Sequence, residues 1–372
     1  MKHSLDSLTG LRFIAAFMVV LLHFGNPPAP HLVHNIISQG FVAVSLFFIL
    51  SGFILTYNYI DSEGHLKTGK REFMLARFSR IYPAYLLGFV IYAPFALKEI
   101  AAIDAHSPWI NTTYFAVAAL GLVQSWSTQT ALVWNSPAWS LSAEAFFYLV
   151  FPFVAPLIVR LDGRRLLLAG LLFWLASMAA FFVHQLHPHF DRNFWVFNPL
   201  LRLPEFLLGI VLGKFWLTRK SSAFQQVLER HCGTIAVASV IALLALFSID
   251  DDESRLYNGM AAPLIMALIY SLAIGRGMLA RFLATRPMVL LGEASYSLYI
   301  LHWPLWFAIT AFLVNYLHRF ERGAMHFLVC EAVTLAASMA VFKYVEKPGN
   351  VYLKKTLLPL TKSVLAQPAI FK

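Results

Sequence analysis

Residues 8–25 read LTGLRFIAAFMVVLLHFG. The run is apolar and long enough to cross a bilayer, which takes about 20 residues. It contains two ionisable groups, Arg12 and His23, with ten residues between them. An ionisable side chain inside a membrane span is costly, and by default it marks function. Eleven positions at about 100° each come to roughly three helical turns, so both side chains leave one face, about 16 Å apart along the axis. One helix would then present a cation at one depth and a general-base candidate at another. The run is too long for a signal peptide and has no small-residue cleavage site, so it reads as an uncleaved first span.

Composition extends that reading to the whole chain. Of the 372 residues, 59% are hydrophobic and only 13% are charged, about half the charge of a soluble domain. There are 33 phenylalanines and no long polar block. The expected fold is an all-α membrane protein of about ten transmembrane helices. Apolar stretches fall near 8–25, 40–60, 82–103, 139–159, 164–184, 199–217, 232–249, 259–275, 289–317 and 324–345. A shorter one at 113–126 suits a re-entrant or interfacial helix.

Loop charge sets the orientation, because short cytoplasmic loops collect Lys and Arg. The segment 61–81 holds Lys67, Lys70, Arg71, Arg77 and Arg80, whereas 26–39 has neither Lys nor Arg. The basic loops 160–165, 218–231 (Arg219, Lys220, Arg230) and 276–286 follow the same alternation, and the acidic stretch 250–254 falls outside. Both termini are then cytoplasmic. Arg12 lies toward the inner face, and His23 toward the outer. Residues 1–348 form the membrane domain and 349–372 a short basic tail. The net charge of +10 fits such loops and requires no nucleic acid. Cys232 and Cys330 give neither a disulfide framework nor metal spacing, and no metal site is expected.

Other polar residues interrupt the apolar runs. In GFVAVSLFFILSGFILTY (40–57), Ser45, Ser51 and Gly52 suit close helix packing. In NSPAWSLSAEAFFYLVFP (135–152), Pro137 sets up a helix start that Ser140 or Ser142 can cap. Glu144 follows. A lone Glu there is often a partner of the helix dipole, but its expected depth matches that of His23, which invites an acid/base pairing. Arg202 and Glu205 are spaced i,i+3, as in a structural ion pair. His302 sits mid-span in SYSLYILHWPLW (295–306), either functional or bonded to a neighbouring helix. Within KREFMLARFSRIY (70–82), a basic amphipathic helix candidate, Arg77 and Arg80 share a face suited to bidentate phosphate contacts, whether on a ligand or on lipid head groups. No Walker-type loop, Rossmann fingerprint, HExxH, CxxC or GxSxG occurs, so a soluble hydrolase or nucleotide-driven pump is unsupported.

Several of these stretches together resemble the acyltransferase-3 family of multispan membrane enzymes that modify bacterial surface sugars and related acceptors. They are LDSLTGLRFIAAFMVVLLHF (5–24), GFVAVSLFFILSGFIL (40–55), RFSRIYPAYLL (77–87), WSLSAEAFFYLVFP (139–152), RLPEFLLGIVLG (202–213), YSLYILHWPLW (296–306) and EKP (346–348). Each is weak alone; seven in that order are specific. The chain departs from the family pattern at Ser45, where Asp is common, and at Ala145, where a second acid is common. Many relatives carry a further hydrolase-like domain after the last span, and none is expected here.

The resemblance implies a membrane-bound O-acyltransferase of the bacterial inner membrane, with an acyl-CoA donor, most often acetyl-CoA, and a carbohydrate or glycolipid acceptor such as an exopolysaccharide or its lipid-linked precursor. It implies His23 as general base with Glu144 orienting it, and Arg12, Arg77 and Arg80 on the donor's phosphates. Ser45, His302, Arg202 and Glu205 would support substrate or structure. The alternatives are another acyl donor or acceptor, such as succinyl transfer or a secreted small molecule, and a transporter or flippase without chemistry; no internal repeat of the transporter kind is evident.

Overall fold

The computed structural model describes residues 5–24, 30–103, 108–187, 189, 191–218, 223–249, 259–317 and 323–358. The acidic stretch 250–254, Arg219, Lys220, most of the tail and residues 26–29 of the outer loop lie outside them. Among the described residues there is no strand, only an isolated bridge between Ile60 and Leu66.

The helices in chain order are α1 (Asp6–Phe24), α2 (His31–Ser38), α3 (Val42–Tyr59), α4 (Lys70–Ile103), α5 (Pro108–Leu120), α6 (Trp139–Val159), α7 (Gly163–Leu186), α8 (Arg192–Phe197), α9 (Pro199–Leu217), α10 (Ala223–Arg230), α11 (Cys232–Ile249), α12 (Ala262–Ile274), α13 (Met278–Leu283), α14 (Arg286–Glu293), α15 (Ser295–Leu317), α16 (Ala324–Val341) and α17 (Lys347–Leu357). This is an all-α membrane protein. Among the described residues eight helices are long and apolar enough to cross a membrane, and a ninth counts if α10 and α11, bent by 76°, form one span.

The ten expected stretches all fall on helices, with differences in detail. The stretch at 259–275 yields α12, only 13 residues long, or about 20 Å at 1.5 Å per residue. Pro263 lies in its first turn, and Gly275, at φ 76° in the left-handed region, ends it, as a helix C-cap commonly does. The stretch at 289–317 is broken into α14 and α15. The amphipathic segment 70–82 is continuous with the following span in one 34-residue helix, α4.

The chain divides into two compact units. The first comprises Met1–Thr68 and Phe146–Gly292, the second Gly69–Ala145 and Glu293–Lys372. The boundary falls inside α6, so Glu144 belongs to the second unit.

In the first unit, α3 and α9 meet backbone to backbone. A Cβ on Gly52 would lie 2.2 Å from the Phe206 carbonyl oxygen, and one on Gly209 2.1 Å from that of Ile49. The small residues flagged in the second apolar run include this one, and close packing is their use. The side chain of Ser7, in the first turn of α1, donates to the carbonyl of Leu272 at 2.6 Å, tying that end of the helix to α12.

In the second unit, Tyr92, Ala96 and Ile100 of α4 pack with Phe115, Ala119 and Trp134. The expected short segment at 113–126 falls on α5 and the start of a partly buried stretch, 121–138, that holds only two short 3₁₀ turns, Gln124–Trp126 and Ser136–Ala138. Gln124, Ser125, Thr130, Ala131 and Asn135 are all buried. Backbone polar groups can leave a helix inside a membrane protein only where other protein groups satisfy them. Here Thr130 Oγ1 donates to the Gln124 carbonyl at 2.5 Å, Gln124 Nε2 to that of Ala138 at 2.9 Å and Ser125 Oγ to that of Trp139 at 2.6 Å. Trp134, at φ 77°, stacks on Phe89 with ring centroids 4.2 Å apart and donates its indole N–H to the Phe89 carbonyl.

Candidate functional site

In the first unit α1 is unbroken from Asp6 to Phe24, so Arg12 and His23 stand on one helix at the expected spacing. Both are partly buried, while Ala15, Ala16, Val19 and Val20 between them are buried. His23 bonds to the backbone of Val19 one turn earlier. A ring N–H donating to that carbonyl sets the tautomer, and the other nitrogen then carries the lone pair that a base needs.

Ser45, Arg202 and Glu205 form one buried cluster in the same unit. Arg202 Nη2 lies 2.9 Å from Glu205 Oε2 and donates to Ser45 Oγ at 3.1 Å. The guanidinium also faces the Phe48 ring at 5.4 Å. Arg202 is 2% exposed and Glu205 0%. The expected ion pair therefore exists and is closed over by Ser45 and Phe48. Both charges are closed off from solvent, so breaking the pair would leave an uncompensated buried charge. The cluster links α3 to α9 at the depth where the glycines bring them together.

In the second unit Arg80 pairs with Glu346, which is fully buried. Ser297 Oγ donates to the other Glu346 oxygen at 2.5 Å. Glu346 ends a short π-helical stretch, Phe342–Glu346, a distortion frequent at functional positions. The Arg80 guanidinium lies 5.8 Å from the centroid of the Tyr296 ring, and the Tyr296 hydroxyl donates to the Ile81 carbonyl at 2.6 Å. Lys354 of α17 stands within Coulombic range of both Arg77 and Arg80, and Gly349 packs on Pro83. Residues 349–357 of the expected tail form most of α17, which lies against α4.

Glu144 lies within electrostatic reach of Tyr296, the residue on which Arg80 sits. The loop charges suggest opposite levels for Glu144 and Arg80, whereas in this unit both lie within electrostatic reach of Tyr296. Neither Ser140 nor Ser142 caps that helix. Ser140 Oγ bonds to the Pro137 carbonyl at 3.0 Å and to the Tyr299 hydroxyl at 2.7 Å, and Ser142 Oγ accepts from the Ser125 amide.

His302 is 1% exposed, and its Nδ1 lies 2.6 Å from the Tyr299 carbonyl. It thus stands beside the Tyr299–Ser140 link between α15 and α6. Sequence reasoning assigned no role to Tyr296, Ser297, Tyr299 or Glu346. The YSLY and EKP stretches were the available signal.

The expected residues therefore gather into distinct groups. His23 and Arg12 share α1, and Ser45 joins Arg202 and Glu205. Arg80 joins Glu346, Ser297 and Tyr296, with Arg77 and Glu144 nearby. No group of three or more His, Cys, Asp or Glu positioned to hold a metal ion occurs among the described residues.

Comparison with known proteins meets this geometry. No solved structure matches the chain. Acyltransferase MdmB of Streptomyces mycarofaciens is 28% identical over 360 residues, covering 91% of this chain and 86% of that protein. O-acetyltransferase OatA of Staphylococcus aureus (strain MRSA252) is 26% identical over 390 residues, which cover 98% of this chain but 61% of that protein. The acyltransferase domain family matches residues 5–343, a span that contains every site residue named above except Glu346 and Lys354. This protein belongs to that acyltransferase family, and it is a membrane enzyme of acyl transfer.

Proposed function

We propose that this protein O-acetylates a sugar hydroxyl of a cell-surface or exopolysaccharide, or of its lipid-linked precursor, with acetyl-CoA as donor, at the bacterial inner membrane. The observation that carries the reading is His23. It is an imidazole in a membrane span, bonded to the Val19 carbonyl so that one ring nitrogen is the base.

His23 takes the proton of the acceptor hydroxyl as that oxygen attacks the thioester carbonyl. The carbonyl carbon gains the C–O bond and loses the C–S bond, and the CoA thiolate leaves and is protonated. Glu144 is the second catalytic candidate, a carboxylate in the first turns of α6. Arg12 and Arg77 are proposed to hold donor phosphates. Arg80, held by Glu346, is proposed to present Arg77 and Lys354 rather than to bind alone. The O-acetyltransferase relative named above supports the acetyl group and the hydroxyl acceptor.

Purified protein given radiolabelled acetyl-CoA, with and without candidate oligosaccharides, tests the reading. Wild type transfers label to sugar. His23→Ala loses transfer by about 10²–10⁴-fold while retaining acetyl-CoA binding. Undiminished transfer by His23→Ala, or loss of donor binding with it, overturns the base assignment.

A further inference from the structure

A cavity of about 910 Å³ opens in the first unit among α7, α9, α10 and α12. None of the residues discussed above as catalytic or donor-binding lines it. Its lining runs from Asp162 to Trp174 along α7, about 18 Å of helix, so the space is elongated. The deep end is apolar, with Leu171, Trp174, Leu208 and Pro263.

The other end is polar. Lys214, only 6% exposed, pairs with Asp162 at 3.0 Å, and Asp162 itself is 79% exposed. Arg164 and Arg165 follow on the first turn of α7 and are exposed, outside the lining itself. Two further lining groups are buried and have polar atoms without a hydrogen-bond partner among the described residues: Gln225 Oε1 and Ser271 Oγ. Gln225 is 2% exposed and Ser271 1%. The Gln225 amide nitrogen donates to the Phe215 carbonyl at 2.8 Å, and its oxygen is enclosed within the wall. Buried polar atoms left unmet cost about 1–3 kcal/mol each.

A long apolar slot that ends at the buried cation Lys214, with two more cations on the adjoining turn of α7, matches one chemistry. We propose that the cavity binds an anionic glycerophospholipid of the bilayer. One acyl chain lies along α7 and α9, and the phosphate meets Lys214 as Asp162 turns to solvent. The volume lies within the roughly 300–1,000 Å³ of ligand pockets. The proposal is independent of which acyl group the enzyme transfers.

Native mass spectrometry of the full-length protein in mild detergent, titrated with dioleoyl phosphatidylglycerol or dioleoyl phosphatidylcholine, tests it. Wild type retains one phospholipid and prefers phosphatidylglycerol by about tenfold. Gly170→Phe fills the slot; a Cβ there meets only Val211 Cγ1, at 3.5 Å. It binds about tenfold less of either lipid while keeping the circular dichroism and melting temperature of wild type. Ala267→Phe, on the opposite wall, does the same and stands in if Gly170→Phe does not fold. Lys214→Gln still binds lipid but loses the preference for phosphatidylglycerol. Unchanged lipid retention in a folded slot-filling variant overturns the proposal. So does displacement of the lipid from wild type by acetyl-CoA, which would make the cavity the donor's.

Discussion

Glu346 illustrates how much one residue holds in this protein. It is fully buried, paired with Arg80 and bonded to Ser297. Removing one partner of a buried ion pair leaves an uncompensated charge, at a cost of about 3–5 kcal/mol. Glu346→Ala should therefore lower the melting temperature in detergent, and Arg80→Met in the same background should recover part of the loss. Equal melting of single and double variants would show the two side chains to be uncoupled. At this scale the sequence exposes the charged residues but not their partners. Arg202 and Glu205 sit three apart on one helix and could be paired on paper. Arg80 and Glu346 are brought together only by folding.

At the scale of elements, the close approach of α3 and α9 rests on glycine. A Cβ at Gly52 would sit 2.2 Å from the Phe206 carbonyl oxygen, and a backbone atom cannot move aside as a side-chain tip can. Gly52→Val should cost at least the roughly 1–3 kcal/mol of an overpacked interior, read as a lower yield of folded protein and a lower melting temperature. Gly69→Ala is the matched control, because a Cβ there meets only Glu72 atoms at 3.8 Å or more, and it should melt as wild type. The stretch 121–138 makes the converse point. It begins within the short apolar segment expected at 113–126 as a re-entrant or interfacial helix. Its burial is decided by contacts such as Asn135 Nδ2 donating to the Ile300 carbonyl at 3.0 Å across 165 residues of sequence.

At the scale of the whole molecule, the expected orientation is testable with the two native cysteines left in place. Cys232 and Cys330 are 2% and 0% exposed, so both should resist a membrane-impermeant maleimide. Glu63 is 78% exposed in the turn that the loop charges assign to the inner face. Glu63→Cys in intact spheroplasts should label only after permeabilisation; labelling without it reverses the topology.

The fold class was legible in the sequence because a bilayer constrains length and polarity residue by residue. A run of about 20 apolar residues is a span wherever it stands, and the basic loops alternate between them. The equal spacing of Arg12 and His23 on one face was legible for the same reason, since a helix repeats every 3.6 residues whatever surrounds it. The pairing of Arg80 with Glu346, the closure of Ser45 over Arg202, the partial burial of 121–138 and the slot beside Lys214 were not. Each depends on which distant segments become neighbours, and that is fixed by packing and hydrogen-bond satisfaction across the folded chain, which no local pattern encodes.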